Sequence, residues 1–332
     1  MSEQRGAVIG LDLGGTKLMA GLFNGNDDLV AKEYVPVSSL SQDILLETLA
    51  TTVLELAAKS DEPVVGAGYG IPTTIDQERG IAVVACNLPI KDLPVRDEME
   101  RRTGIASFID NDANVAALAE QRLGVGRGVS DLIMLTLGTG FGGGIIIDGK
   151  LFNGSQGAAA ELGHMSIDQG GRPCTAPNCP GIGCIEAYCS GSALRVDLKE
   201  FIAANPDSML AEEVAAGAPI AGETIVKLAR EGDADAIELF ANTGRYLGVA
   251  MANFVNIFNP EMFVVGGGLS VAREWVLPPA IDWVRTHSLA PGNEFVRVEA
   301  AQFGAEAGMI GGAMLARDGL AARVAQAVPA GS

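Results

Sequence analysis

The sequence predicts an α/β protein of two lobes with a central cleft, and three observations carry that expectation. A β-rich run, a glycine turn and a second β-rich run open the chain at 6–24 and recur at 131–151. Strand patterns alternate with helical ones in both halves, as α/β layering requires. The 332 residues exceed one ordinary core, and no Pro-, Gly- or Ser-rich linker divides them. Two close-packed lobes with a cleft between them follow.

The elements run as follows. Residues 6–13, 18–24 and 28–37 read as strands separated by turn residues. Residues 40–60 place apolar side chains at helical spacing, and 63–72 is a short buried strand with glycines. A helix over 93–104 and a strand over 105–110 complete the first half, and a helix over 110–124 marks the boundary. The second half opens with strands 131–138 and 143–151. A helix over 185–204 follows a Cys-rich loop, 205–232 is a polar helical excursion, and 233–258 is a long helix. A buried strand (261–268), a helix (271–288), a strand (295–301) and a closing helix (304–319) end the chain.

Composition excludes several roles. The chain is 48% hydrophobic with mean hydropathy +0.26, enough to bury large cores. A net charge of −18 and a pI near 4.5 argue against a duplex nucleic-acid partner, which needs a basic face. The charge reads as a solvated acidic surface. No apolar run is long enough for a membrane span. The N-terminus carries one basic residue and an apolar run broken by Asp12, unlike a signal or transit peptide, so a cytoplasmic protein is expected. Four of the five cysteines fall between residues 174 and 189. Without a secretion signal, metal binding explains them better than disulfides.

The first glycine loop, GLDLGGTK (10–17), nearly has P-loop spacing, but it ends Thr-Lys and runs into a strand rather than a helix. It reads as a tight hairpin whose Gly14, Gly15 and Thr16 offer N–H groups and a hydroxyl to phosphate. Asp12 at the strand end could hold a hydrated Mg²⁺, and a satisfied turn Asp explains it about as well. The second loop, LTLGTGFGGG (135–144), contains G-x-G-x-x-G at Gly138, Gly140 and Gly143. A strand follows it, so a dinucleotide-binding fold is rejected and the first hairpin is repeated. The third loop, VVGGGLS (264–270), joins strand to helix and lets backbone approach a flat ring or ribose. Three such loops over two lobes favour a nucleotide.

The stretch DNDAN (110–114) ends a strand and starts a helix. Asp110 reads as the N-cap, and Asp112, just inside the helix, as a general base. Phosphoryl transfer asks little more of protein than a base, a metal on the phosphates and tight positioning. Asn87, in the turn Cys86-Asn87-Leu88-Pro89, is either substrate-facing or a plain turn residue.

Cys174, Cys179, Cys184 and Cys189 are spaced by five, with His164 ten residues before the first. A closed Cys/His set of this kind suits structural zinc. Either the four cysteines bind it, or His164 does with the first three. Cys189, inside the expected helix, points elsewhere, which favours the second set. Glu161 and Glu186 flank the loop. With His164 they suit sugar hydroxyls, and the apolar setting of Glu161 argues against a solvated surface acid.

Seven motifs together resemble the ROK-family sugar kinases, and among them the bacterial glucokinases: DLGGTK (12–17), DNDAN (110–114), LGTGFGGG (137–144), ELGH (161–164), GCIEAYCSG (183–191), VVGGGL (264–269) and FGAEAGMIGGAML (303–315). They run in family order over nearly the whole chain. The resemblance implies the actin/hexokinase/Hsp70-like ATPase fold, with a discontinuous first domain (1–115 with 304–332) and a second over 116–303. It implies ATP-dependent phosphorylation of D-glucose to glucose 6-phosphate by a homodimer. ATP and Mg²⁺ would sit against Asp12, Gly14, Gly15, Thr16 and Lys17, against Gly138, Thr139 and Gly140, and against Gly266, Gly267 and Gly268. The catalytic Asp falls on Asp112, and the sugar positions on Asn111, Asp112, Glu161, His164 and Glu186, with Asn87 beside them. The zinc ligands fall on His164, Cys174, Cys179 and Cys184. One departure stands out. The family's Cys-x-Cys-Gly-x-x-Gly-Cys is widened here to CTAPNC, with Pro180 in place of the usual Gly, which leaves Cys174 and Cys189 competing for one ligand position. Rival readings are a kinase for N-acetylmannosamine, N-acetylglucosamine, mannose or fructose, a polyphosphate-using glucokinase, and a non-catalytic sugar sensor. Repressors of the family carry an N-terminal helix-turn-helix. With the first strand beginning within ten residues of Met1, no such domain is expected here.

Overall fold

A computed structural model describes residues 5–37, 41–85, 88–176 and 179–327. The chain divides into two compact units. One comprises Met1–Gly128, Gly144–Ala160 and Gln302–Ser332, the other Val129–Gly143 and Glu161–Ala301.

The chain opens with the expected hairpin of β1 (Ala7–Leu13) and β2 (Lys17–Phe23), closed by Gly14 N–H donating to Lys17 O at 2.9 Å. β3 (Leu29–Pro36) pairs antiparallel with β2. α1 (Gln42–Ala57) begins where the Ser41 hydroxyl accepts Ile44 N–H. β4 (Val64–Ile71) lies parallel to β1. A small antiparallel sheet of β5 (Ile75–Asp76), β6 (Ile81–Val84) and β7 (Lys91–Leu93) follows, absent from the sequence expectation. Next come α2 (Val95–Thr103), β8 (Ala106–Asn111) and α3 (Asp112–Arg122). The first large sheet has the order β3-β2-β1-β4-β8. Its buried side chains, including Ile9, Leu11 and Leu22, form one core with Leu45, Leu49, Val53 and Leu56 of α1.

The second hairpin joins β9 (Leu132–Leu137) to β10 (Phe141–Ile147), and β11 (Lys150–Leu151) pairs back on β10. Then follow α4 (Gly191–Ala204), α5 (Met209–Ala215), α6 (Gly222–Glu231), α7 (Ala234–Phe258), β12 (Met262–Gly266), α8 (Arg273–His287), α9 (Gly292–Phe295), β13 (Arg297–Ala300) and α10 (Ala307–Ala327). The second large sheet has the order β11-β10-β9-β12-β13, with β9, β12 and β13 parallel. The excursion over 205–232 is two helices, α5 and α6, and the closing helix runs on to Ala327.

A further boundary differs from expectation. The helix read over 185–204 starts only at Gly191, because the Ser190 hydroxyl accepts Ala193 N–H and caps it there. Residues Ile185–Ala187 form a single 3₁₀ turn, so Cys189 precedes the helix.

The closing helix returns to the first unit and packs backbone against backbone. A Cβ on Gly10 would fall 1.9 Å from Met309 O, and one on Gly311 would fall 1.6 Å from Val115 O. Buried Glu120 of α3 secures the return, its Oε1 accepting Gln302 N–H at 2.8 Å and Phe303 N–H at 2.9 Å.

Candidate active site

In the first unit, parallel pairing of β1, β4 and β8 brings Asp12, near the end of β1, to the same strand ends as DNDAN at the end of β8. Gly70 of β4 leaves the room between them, since a Cβ there would meet Val115 at 2.5 Å and Asp112 Cα at 3.6 Å. Asp112 is half-buried and opens α3, as the sequence predicts. The helix cap, however, is Asn111 rather than Asp110. Its Oδ1 accepts Ala113 N–H at 2.9 Å and Asn114 N–H at 3.4 Å. Asp110 is still inside β8 and only 3% exposed, which turns its carboxylate to the interior. There it accepts from Asn111 N–H (2.7 Å), Asn114 Nδ2 (2.8 Å) and Asn153 Nδ2 (2.9 Å). Burial pushes its pKa up, and these donors pull it back. The Asp110 network thus locks the turn that presents Asn111 and Asp112.

Asp12 keeps some exposed surface, yet protein atoms crowd it. Burial, then the charge of Asp112, pushes its pKa up to about 7, while Lys17 pulls the other way. The start of α10 lies against this carboxylate: a Cβ on Gly308 would fall 2.4 Å from Asp12 Cγ. The hairpin turn beside it leaves Gly14 and Gly15 half-exposed and Thr16 and Lys17 exposed.

In the second unit, the Gly138–Gly140 turn is closed by Gly138 N–H to Gly140 O at 3.0 Å. The carbonyls of Gly138 and Thr139 accept Gly191 N–H (2.8 Å) and Ser192 N–H (3.1 Å), so the start of α4 braces the loop. Glu186 is 6% exposed, and its Oε2 accepts Phe141 N–H at 2.9 Å. A Cβ at position 140 would fall 2.5 Å from that oxygen, so a larger residue there would displace the Glu186 carboxylate. Glu161, against its sequence reading, is exposed. It precedes a 3₁₀ turn in which Leu162 and Gly163 take the interior positions. Its Oε2 lies 3.9 Å from His164 Nε2.

The structure brings together His164, Cys174, Cys179 and Cys184, all their ligand atoms within 4.8 Å of one another. His164 Nδ1 lies 3.5 Å from Cys174 Sγ, and Cys179 Sγ lies 3.8 Å from Cys184 Sγ. A tetrahedral zinc, with bonds of about 2.3 Å to sulfur and about 2.0 Å to nitrogen, spaces its ligands by about 3.8 Å (S to S) and about 3.5 Å (S to N). The set is compatible with structural zinc, and Cys189 is outside it, fully buried with its thiol pKa raised by burial. Two short antiparallel bridges, Ser166 to Cys184 and Pro173 to Ile182, hold the knuckle. At Gly183 φ is +68° and a Cβ would fall 1.7 Å from Asp168 O.

The third glycine loop follows β12. Gly267 has φ +88°, and a Cβ there would meet Leu137 O at 2.5 Å. Gly268 lines a cavity of about 640 Å³ with Leu269, Val271 and, from α6, Gly222, Val226 and Arg230. Sequence reasoning missed the α6 contribution, although Ile225, Val226, Leu228 and Ala229 carry an apolar helical pattern. It also missed Phe141, Asn153 and Thr175. Asn87 and Cys86 lie outside the described residues.

A model of the ROK family matches residues 8–319. The chain belongs to the ROK family. Among ROK relatives, a glucokinase of Streptomyces coelicolor is 35% identical over 94% of this chain and 98% of its own. A glucokinase of Halalkalibacterium halodurans is 33% identical over 93% and 94%. The solved ROK glucokinase of Streptomyces griseus, in complex with glucose and AMPPNP, superposes with a TM-score of 0.80 at 34% identity, covering 94% of this chain and all of that one. The fold is the actin/hexokinase-like ATPase fold of the ROK sugar kinases.

Proposed function

We infer that the chain is a glucokinase, transferring the γ-phosphoryl group of ATP to D-glucose. The observation that carries the assignment to residues is the Asp12–Asp112 pair, one carboxylate near the end of β1 and one at the start of α3 just beyond β8, which feel each other's charge. Asp112 takes the proton from the sugar 6-hydroxyl as that oxygen attacks the γ-phosphorus; the bond to the bridging oxygen breaks and ADP leaves. Asn111, Glu161, His164 and Glu186 accept and donate at the remaining hydroxyls. The N–H groups of the Gly14–Thr16 turn, with Lys17, are donors suited to phosphate oxygens, and the Gly138–Gly140 turn of the second unit offers donors of the same kind. The base and ribose fit the cavity beside Gly266–Gly268. Mg²⁺, when bound, neutralises phosphate charge, and Asp12 would hold it through water, its elevated pKa marking a place where a cation is favourable. His164, Cys174, Cys179 and Cys184 would hold zinc, which would supply no chemistry and would leave His164 fixed in place.

Asp112→Asn is expected to lower kcat by about 10²–10⁴-fold, while glucose binding measured by calorimetry persists. A near-normal kcat would refute the assignment. ADP release across a hexose panel, with polyphosphate as competing donor, separates glucose and ATP from their rivals. We further propose a cytoplasmic homodimer, a reading the family resemblance supports. A monomer by sedimentation at micromolar concentration refutes the dimer.

A further inference from the structure

We propose that Thr175 is a positioning residue for Glu186. The proposal rests on the reading of Glu186 as a sugar-binding carboxylate. Glu186 is nearly buried, and both of its oxygens are held by protein. Oε2 accepts Phe141 N–H at 2.9 Å, and Oε1 accepts the Thr175 hydroxyl at 3.0 Å. Cys174 Sγ is the other neighbour of Oε1, at 3.8 Å. Once Cys174 binds a cation as thiolate it has no proton to donate, and its charge faces the carboxylate. Thr175 then remains as the donor to Oε1.

This arrangement has a chemical purpose. A carboxylate with one donor per oxygen has its plane fixed and one lone pair on each oxygen still open. It meets a pair of sugar hydroxyls as a preorganised acceptor and loses no rotamer freedom on binding. Thr175 directly follows Cys174 in CTAPNC, the segment in which this chain departs from the usual Cys-x-Cys spacing. Ligation of Cys174 anchors the backbone, and the next side chain turns that anchor into a contact on the sugar-binding acid. The knuckle therefore reaches Glu186 through a hydroxyl rather than through a metal ligand.

The test compares Thr175→Val, which keeps shape and removes the hydroxyl, with Thr175→Ser, which keeps the hydroxyl. In Thr175→Val the KM for glucose is expected to rise about tenfold, the worth of one hydrogen bond to a charged group, with kcat changed less than about twofold. Thr175→Ser is expected to restore most of the wild-type KM, and both variants to retain one zinc per chain by elemental analysis. A wild-type KM in Thr175→Val overturns the proposal. Zinc loss together with a raised KM also overturns it, because the hydroxyl would then serve the loop's fold. Glu186→Gln separates the two layers. If it raises KM while Thr175→Val does not, only the positioning role fails. If it leaves KM unchanged, the reading of Glu186 fails, and this inference with it.

Discussion

Asp12 holds its proton into the neutral range, and that has a consequence for stability. In the unfolded chain the group ionises near 3.8, the ordinary value for an aspartate; in the folded chain it does so at about 7. Between those values the folded state binds the extra proton, so stability falls as pH rises from about 4 to about 7 and is level above. Three pKa units correspond to about 4 kcal/mol, roughly halved by the solvent that still reaches the side chain. Asp12→Asn should therefore raise the melting temperature at pH 8 and make little difference at pH 4. Scanning calorimetry at the two pH values checks this, and an equal shift at both would count against it. At this scale the sequence was a good guide to which residues matter and a poorer one to what each does. Asp112 opens α3 as its place in DNDAN implied, but the cap expected of Asp110 falls to Asn111, and Asp110 turns inward. A strand-end Asp and the Asn after it both suit a cap; what decides is the strand's pleat, which turns Asp110 inward toward Asn114 and Asn153.

At the scale of elements, the two strand–glycine–strand hairpins were legible because long β-rich runs interrupted by glycine admit few other structures. The sheet β5-β6-β7 was not, since strands of two to four residues are too short to show alternation. The late start of α4 was missed because helical spacing continues back through Ile185 while one hydroxyl, Ser190, stops it. The closing helix shows why a glycine-rich segment can be helical at all: Gly308, Gly311 and Gly312 cost helix propensity but let α10 approach β1, β4 and α3 at backbone distance. Gly311→Ala would gain propensity and still destabilise, because its methyl would overlap Val115 O. A loss of about 1–3 kcal/mol in urea denaturation is expected, and a stabilised variant would show the helix is free to move away.

For the whole molecule, metal removal is the informative perturbation. Stripping zinc with a strong chelator is expected to raise the KM for glucose and to speed amide exchange across residues 161–184, while β1, β4 and β8 keep their protection. Fast exchange throughout the first unit would mean that the metal stabilises more than its knuckle. The Cys/His cluster could be read from sequence because soft ligands so dense are rare. Its membership needed the fold, which shows Cys189 ahead of α4 and buried away from the others. The α6 side of the cavity was hidden because only the fold brings a helix about forty residues upstream beside Gly268. The return of α10 also governs how the polypeptide is made. Gln302 onward, which completes the first unit, follows Gly128 by more than 170 residues. At about 5–20 residues per second, the amino-terminal sheet waits roughly 10–35 s for its last helix. The second unit, complete by Ala301, is ready first. The unit that holds β1 is thus closed by the segment made last among its parts.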